Sequence, residues 1–323
     1  MLKDTEFAYA VARIRSNESK LLTSPQIESL ITASNYEETL RLLSDAGYDG
    51  IDSSNEDAVL SKRLSDAFEL IYESAPDKNC LDFLIVRNDF HNLKACIKSM
   101  IAGVSCDGLL LSPCIVDGST LKNAVEQKDF ESLPEFLSNT ARKAYSLVAE
   151  TMDGQSLEVF LDRKCLEASI TLAKATEDTF SISLSMLFAA LSNIKIALRC
   201  CKTGKDKAFM ENAFAECSLI DLKQLAQSVL DGEDSLAEYV KRAGFEKLAD
   251  GIKKGYASFE KISDDMLIEK IQDAKYKALG ISPLVAYYFA TDAEIKTVRI
   301  ILSCKKNGMS DEVIRERVRV LYV

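Results

Sequence analysis

Apolar residues recur with a helical period along almost the whole chain. Phe7, Val11 and Ile14 mark one face of a first helix, predicted over Thr5–Leu22. Pro25 then fits the first turn of a second helix, because a proline there gives up no helical hydrogen bond. No run alternates apolar and polar residues as a half-buried strand does, so the sequence predicts an all-α fold with a strand content near zero.

The predicted helices follow a plan in which two short helices lead into two long ones. In the first third of the chain they cover Gln26–Thr32, Tyr36–Asp45, Asn55–Ser74 and Asp77–Ala102. Pro76 and Asp77 separate the two long helices, because proline ends a helix and aspartate can cap the next one. Gly47 and Gly50 end the short pair.

Later parts of the chain echo the short pair. It recurs 94 residues further on as Leu121–Val125 and Asp129–Glu131, with Asn35 and Asp129 as the expected N-caps. The remaining predicted helices open at Asp221 and Ser235 and, near the C-terminus, cover Asp311–Leu321.

A repeat of about a hundred residues underlies this plan. One triplet occurs three times at a spacing of 101 residues, as Asn92-Leu93-Lys94, Asn193-Ile194-Lys195 and Glu294-Ile295-Lys296. The first two helices that carry the triplets end in glycine at the same offset, at Gly103 and Gly204, and the third ends a few residues later, at Gly308. Three like units predict a pseudo-threefold body. The predicted repeats are residues 1–106 with the N-terminal helix, 107–208, and 209–323 with the C-terminal helix, and packing of the two terminal helices would close the body.

Composition narrows the class of protein. Hydrophobic residues make up 47% and charged residues 28% of the 323, which is typical of a well-packed soluble protein. The net charge of −10 disfavours nucleic acid and anionic lipid head groups as partners, since both need a basic field. With no apolar run at the N-terminus we expect no signal peptide, and the nine cysteines are expected to be reduced and buried rather than a disulfide framework.

The longest uncharged window, Thr179–Ile194, is predicted to be a core helix. A membrane span takes about 20 apolar residues, and this window is shorter and contains several serines.

Catalytic chemistry finds little support in the sequence. His91, beside Asp89, could act as a general base, but no nucleophile can be assigned to it. Gly204-Lys205 is followed by Asp206, so it lacks the pattern of a phosphate-binding loop. We predict no catalytic, cofactor-binding or metal-binding residue.

Asp264, Asp265 and Glu269 resemble a fragment of the aspartate-rich Mg²⁺ motif of all-α prenyl-transfer enzymes. A second acidic cluster with matching spacing is missing. Ser263-Asp264-Asp265 is therefore interpreted as the start of a helix, where acidic side chains favour the helix dipole.

Basic residues gather near the ends of the repeated long helices: Lys98, Arg199, Lys202, Lys205, Lys305 and Lys306. Cations at helix C-termini stabilise the dipole by about 0.3–1 kcal/mol each. Alternatively, the three helix ends share one rim and dock an acidic partner, with Arg315, Arg317 and Arg319 adding to it. Asp89 and the polar residues of the triplets are predicted to bond between neighbouring helices. The triplet residues are Asn92, Lys94, Asn193, Lys195, Glu294 and Lys296.

Three segments carry a resemblance to a known family. They are Tyr9–Arg15 with Glu18 and Leu21-Leu22, then Val86–Lys94, and lastly Asp292–Ile301 with the tail Arg315–Val323. Over essentially its whole length the chain resembles the central-stalk C subunit of prokaryotic V-type (A/V-type) ATPases, which is similar to the eukaryotic d subunit.

The resemblance implies a funnel-shaped all-α body of three similar units around a cavity, without catalytic residues or cofactors. A protein of this family caps the proteolipid rotor ring on the cytoplasmic face of the membrane. It receives the lower end of the central shaft, made of D-type and F-type subunits, and carries torque for ATP-coupled proton or sodium transport. It is a monomer within a hetero-oligomer.

Two other functions remain open from the sequence. One is an all-α repeat scaffold for soluble partners, although helical repeat arrays of the tetratricopeptide class have periods of about 34 residues and stay open. The other is the isoprenoid-type enzyme. A chain that closes on itself, with adjacent termini, would favour the rotary subunit over the open scaffold.

Overall fold

Sixteen α-helices make up most of residues 3–323, the part of the chain that the computed structural model describes, and no strand occurs there. The helices are α1 Ala8–Glu18, α2 Ser24–Thr32, α3 Tyr36–Asp45, α4 Glu56–Ser74, α5 Asp82–Ala102, α6 Gly118–Gln127, α7 Glu135–Thr151, α8 Gly154–Ala175, α9 Thr179–Thr203, α10 Lys207–Ala213, α11 Leu222–Leu230, α12 Glu233–Arg242, α13 Glu246–Lys254, α14 Tyr256–Gln272, α15 Ser282–Lys306 and α16 Asp311–Arg317. Short 3-10 helices cover Asp4–Phe7, Lys78–Leu81, Asp107–Leu109, Phe130–Ser132 and Asp273–Tyr276. The predicted all-α class is confirmed.

Two compact units share these helices. The first unit joins the two ends of the chain, residues 3–78 and 250–323, and the second unit is residues 79–249. The three repeats expected from the sequence stay a prediction.

The first unit is built around α15. Helices α1, α3, α4, α14 and α16 pack against it. Its Ile295, Val298 and Ile301 share one apolar cluster with Leu30 and Leu43 from the beginning of the chain. Burying a side chain of this size stabilises a fold by about 1.5–3 kcal/mol. The N-terminal helices therefore depend on the last long helix for their core.

The second unit has two long helices at its centre. Helix α5 packs against α6 and α8, and α9 packs against α8, α11 and α12. Leu93 and Ile97 of α5 lie in one cluster with Leu121, Leu137 and Leu161, all fully or almost fully buried.

Helix α9 is the helix within residues 3–323 that is long and apolar enough to cross a bilayer by length and composition. Of its most apolar window, 56% is buried inside the protein. That burial is typical of a core helix, which is what the uncharged window Thr179–Ile194 predicted.

Several local signals predicted their elements well. Tyr36–Asp45 matches α3, and the Asn35 side chain caps it by accepting a hydrogen bond from the Glu38 amide. Gly103 and Gly204 end α5 and α9 with φ of +67° and +61°, a conformation that glycine adopts without strain.

The predicted first helix, Thr5–Leu22, is too long. A 3-10 turn precedes α1, which ends at Glu18. The reason lies at Leu22, whose backbone amide donates to the Glu294 side chain instead of to a carbonyl of its own helix.

The helix start expected at Ser263-Asp264-Asp265 is wrong, because these residues lie inside α14. That helix begins after Gly255, whose φ of +108° breaks the chain direction. The two carboxylates instead hold the C-terminal arm, residues 318–322. Arg319 Nε lies 2.8 Å from Asp264, and the Val320 amide donates to Asp265 over 2.8 Å.

Further boundaries differ from expectation. Helix α5 begins at Asp82, after a 3-10 turn over Lys78–Leu81, rather than at Asp77. Helix α12 begins at Glu233 rather than at Ser235.

The last helix ends at Arg317 rather than Leu321, because the C-terminal arm runs extended along α14, where Lys261 Nζ binds the Val318 carbonyl. The short helix expected at Asp129–Glu131 is only a 3-10 turn without an Asp129 side-chain cap, and Pro134 follows it at the start of α7.

Candidate functional site

The asparagine of the repeated triplet pins a long helix to a loop. In α9 the Asn193 amide group donates to the Ala215 carbonyl over 2.8 Å, and its oxygen accepts from the Ala215 amide over 2.9 Å. In α5 Asn92 makes the same pair of bonds to Leu111, at 3.0 and 2.7 Å. Both asparagines are fully buried. Each loop leads directly into a short helix, α11 in one case and α6 in the other.

The third copy of the triplet uses a carboxylate in the same way. Glu294 of α15 is 2% exposed, and its Oε2 accepts from the Leu22 amide, just before α2. The last long helix is thereby bonded back to the first short helices. We call the contacts Asn92–Leu111, Asn193–Ala215 and Glu294–Leu22 the helix interlocks.

A buried carboxylate needs a counter-charge, and α4 supplies it. Arg63 Nε and Nη2 lie 2.9 and 2.8 Å from Glu294 Oε1, which also accepts from the Tyr48 hydroxyl over 2.7 Å. The guanidinium lies over the Tyr48 ring at 4.4 Å and donates to the Lys20 carbonyl. Burial, and then the nearby Glu294 charge, raise the pKa of Tyr48, which stays protonated as a donor.

Sequence reasoning missed Arg63 and Tyr48. A signal was present, however: glutamate stands at position 294 where the other two triplets have asparagine. A charge at a position that is buried in each copy requires a cationic partner.

Four neighbouring residues of α5 hold the loop at residues 109–116, and we call them the α5 clasp: Asn88, Asp89, His91 and Asn92. The fully buried Asp89 accepts from the Ile115 and Val116 amides, over 3.0 and 2.7 Å. Around it, Asn88 donates to the Pro113 carbonyl over 2.7 Å, and His91 Nε2 lies 3.1 Å from the Leu109 carbonyl. The clasp coincides with the Val86–Lys94 segment that the sequence singled out.

The repeated lysines lie on helix surfaces. Lys94 of α5 pairs with Asp162 of α8 at 2.6 Å. Lys296 of α15 pairs with Asp292 one turn away at 3.1 Å and approaches Asp264 of α14 at 3.8 Å. Lys195 is half-buried in α9.

The basic helix ends differ in how far they are engaged within the protein. In the second unit Lys98 pairs with Glu158, Arg199 and Lys202 are exposed, and Lys205 lies over the Phe209 ring at 4.8 Å. In the first unit the Lys305 side chain is 8% exposed and binds Asp311 and the Ala33 carbonyl, whereas Lys306 is 57% exposed and lies 3.6 Å from Glu56. Lys305 therefore acts within the fold.

Among residues 3–323 no group of three or more histidine, cysteine or acidic side chains is placed to hold a metal ion. The carboxylates of the Mg²⁺-like fragment are occupied by cations and backbone donors: Asp264 pairs with Arg319, and Asp265 pairs with Lys261 at 3.0 Å.

An all-α body pinned by side-chain-to-backbone bonds fits a structural subunit. The chain belongs to the ATP synthase (C/AC39) subunit family, whose model matches residues 10–317. The family resemblance seen in the sequence is thereby confirmed.

Relatives match over nearly full length. The C subunit of the V-type sodium ATPase of Enterococcus hirae is 26% identical over 318 residues, covering 96% of this chain and 97% of that protein. The C subunit of the A-type ATP synthase of Methanocaldococcus jannaschii is 26% identical over 345 residues, covering 96% and 85%. The C subunit of the V-type ATP synthase of Thermus thermophilus is 22% identical over 327 residues, covering 97% and 98%. The chain is thus a non-catalytic structural subunit of a membrane-associated rotary ATPase and part of a hetero-oligomer.

Replacing Arg63 with methionine should lower the free energy of unfolding by about 3–5 kcal/mol, because Glu294 is left charged and unpaired in the interior. Urea denaturation followed by circular dichroism measures the change. The neighbouring exposed lysine gives a matched control, since Lys62→Met should stay within about 0.5 kcal/mol of the parent. Adding Glu294→Gln to Arg63→Met should recover part of the lost stability. If Arg63→Met were as stable as Lys62→Met, the buried ion pair between Arg63 and Glu294 would be contradicted.

The Asp89 carboxyl should make stability depend on pH. Burial raises its pKa from 3.8 to about 6, although the Ile115 and Val116 amides oppose the shift. The folded chain then binds this proton more tightly than the unfolded chain, so the stabilisation is complete below about pH 4 and is lost as the pH rises through about 6.

Unfolding free energies of the parent and Asp89→Asn should be compared from pH 4 to pH 7. The parent-minus-variant difference should fall by up to about 3 kcal/mol over this range. A difference that does not change with pH would show that Asp89 keeps its proton affinity on unfolding.

Proposed function

We propose that this chain is the rotor adaptor of a V-type ATPase, a socket that links the central shaft to the proteolipid ring on the cytoplasmic face of the membrane. It transmits torque between the ATP-hydrolysing head and the ion-translocating ring. Family membership supports the assignment of the chain to this type of complex. The buried contacts that hold its helices together support the mechanical role within the complex.

The helix interlocks carry the proposal. A part that transmits torque must resist twist, and closely packed helices do so because their interiors are as dense as organic crystals. Apolar burial is non-directional, so it does not by itself select one register between a helix and its neighbours. Buried hydrogen bonds to single backbone groups do select one register, because an unmade bond costs about 1–3 kcal/mol.

Adjacent chain ends distinguish this construction from an open array of helical repeats. The Tyr322 hydroxyl lies 3.2 Å from Glu18 of α1, and Arg315 of α16 pairs with Glu28 of α2. Both contacts join the last residues of the chain to the first helices. A stacked solenoid instead keeps its terminal repeats apart. The contacts favour a closed socket over a repeat scaffold.

Docking to the shaft is proposed to use the exposed basic helix ends. Arg199, Lys202 and Lys306 are exposed. Lys205 follows the end of α9, and Lys98 lies near the end of α5. On a chain of net charge −10, these basic positions are complementary to an acidic protein surface. Lys305 contributes by holding Ala33 and Asp311 in place.

Co-expression with candidate shaft subunits and a proteolipid ring tests the adaptor role. A tagged chain should retain both the shaft and the ring after detergent extraction. The double variant Lys202→Glu and Lys306→Glu should weaken shaft retention by about tenfold at low salt while the ring stays bound.

The matched control reverses two exposed lysines elsewhere, Lys62→Glu and Lys253→Glu, which change the net charge equally. If the control variant weakened shaft retention equally, the effect would come from net charge alone and not from the basic helix ends. A tagged parent chain that retains neither the shaft nor the ring would contradict the adaptor role itself.

Solution scattering tests the proposed funnel. A compact globule of 323 residues has a radius of gyration of about 20 Å, and a body with a central cavity must exceed that value. Small-angle X-ray scattering of the isolated monomer gives the radius directly. A radius at or below about 20 Å would contradict the funnel.

A further inference from the structure

Two buried thiols meet in the core of the second unit. Cys96 Sγ and Cys106 Sγ lie 3.6 Å apart, and each residue is 3% exposed. Both are free thiols, as are the other seven cysteines. The contact lies beside the loop that the α5 clasp holds.

The backbone segments that carry Cys96 and Cys106 are both held in place by neighbouring hydrogen bonds and ion pairs. Cys96 is part of α5, one turn after Asn92, whose two bonds to Leu111 pin the loop. Cys106 precedes the 3-10 helix Asp107–Leu109, and Asp107 is paired with Lys122 of α6 at 2.6 Å. Because both backbones are held, the sulfurs face each other in a fixed arrangement rather than by chance encounter.

The separation suits bond formation. A disulfide has a sulfur–sulfur distance of about 2.05 Å, so the two atoms must approach by roughly 1.5 Å. Rotations about the Cα–Cβ bonds of the two cysteines supply a shift of this size.

We propose that Cys96 and Cys106 form a redox site, at which a small hydroperoxide converts the two thiols into a disulfide. The bond ties the segment between α5 and α6 covalently to α5. This role is independent of the adaptor function proposed above.

The reaction balances in two steps. One thiolate attacks the distal oxygen of the hydroperoxide, whose O–O bond breaks to release an alcohol, or water if the oxidant is hydrogen peroxide. The resulting sulfenic acid is attacked by the second sulfur; the S–S bond forms, the S–O bond breaks and hydroxide leaves as water. The sulfur pair loses two electrons and the peroxide gains them. Thiol–disulfide exchange with a dithiol reductant reverses the change.

The environment makes the site slow and dependent on local opening. Burial, and then the contact with Cys106, raise the pKa of the Cys96 thiol to about 12, so the attacking thiolate is rare in the closed state. Oxidation therefore requires a brief opening of the loop. Once formed, the disulfide should suppress that opening.

The experiment treats the purified full chain with hydrogen peroxide under native conditions, blocks the remaining thiols by alkylation after denaturation, and maps the peptides without reduction. We expect a linked pair of peptides that contain Cys96 and Cys106, lighter by two hydrogens and separated again by dithiothreitol. In the treated chain, amide hydrogen exchange at residues 104–116 should slow by at least about tenfold relative to the reduced chain.

Matched variants sharpen the result. Cys106→Ser should abolish the linked pair, whereas Cys114→Ser, in the same loop and half-buried, should leave it intact. If a variant fails to fold, the non-reduced peptide map of the wild-type chain still tests the proposal. Recovery of Cys96 and Cys106 as alkylated thiols in treated wild-type protein, or their pairing with other cysteines instead, would overturn the proposal.

Discussion

The buried carboxylate of Glu294 is the constraint on which the first unit depends. Its charge sits in the middle of a 25-residue helix with 2% exposure, where an unpaired ion is strongly unfavourable. Three donors from three separate segments satisfy it: the Leu22 amide, the Tyr48 hydroxyl and the Arg63 guanidinium. Satisfying one side chain thus fixes the end of α1, the loop after α3 and the position of α4.

The three interlocks solve one geometric problem with two chemistries. An asparagine offers both donors and an acceptor, so Asn92 and Asn193 each satisfy both backbone groups of a single residue. A carboxylate only accepts, so Glu294 takes one backbone amide and must collect its other donors from side chains. The additional donors tie the N-terminal segment to the last long helix, at the place where sequence continuity cannot hold them together.

Local features were predictable from the sequence because their causes are local. The α3 boundaries follow from the Asn35 cap, and the ends of α5 and α9 follow from Gly103 and Gly204. Long-range partners could not be predicted from the sequence. Arg63 and Glu294 are 231 residues apart, and no local pattern around either residue indicates that they pair. Asp264 misled for a related reason: an acidic residue after a serine looks like a helix start, but its partner is Arg319, at the far end of the chain.

The polar residues that open the three triplets, Asn92, Asn193 and Glu294, face inward. The same is true of Asp89. A catalytic constellation must instead face its substrate. Asp89, Asn92 and Asn193 are fully buried, with their hydrogen-bonding capacity directed to neighbouring backbone. Because these side chains are enclosed and already bonded to backbone groups, none of them faces solvent, where a substrate would bind. Such residues fix the relative positions of helices. That use of polar side chains agrees with the rotor-adaptor role proposed above, in which the body keeps its shape while its surfaces bind other subunits.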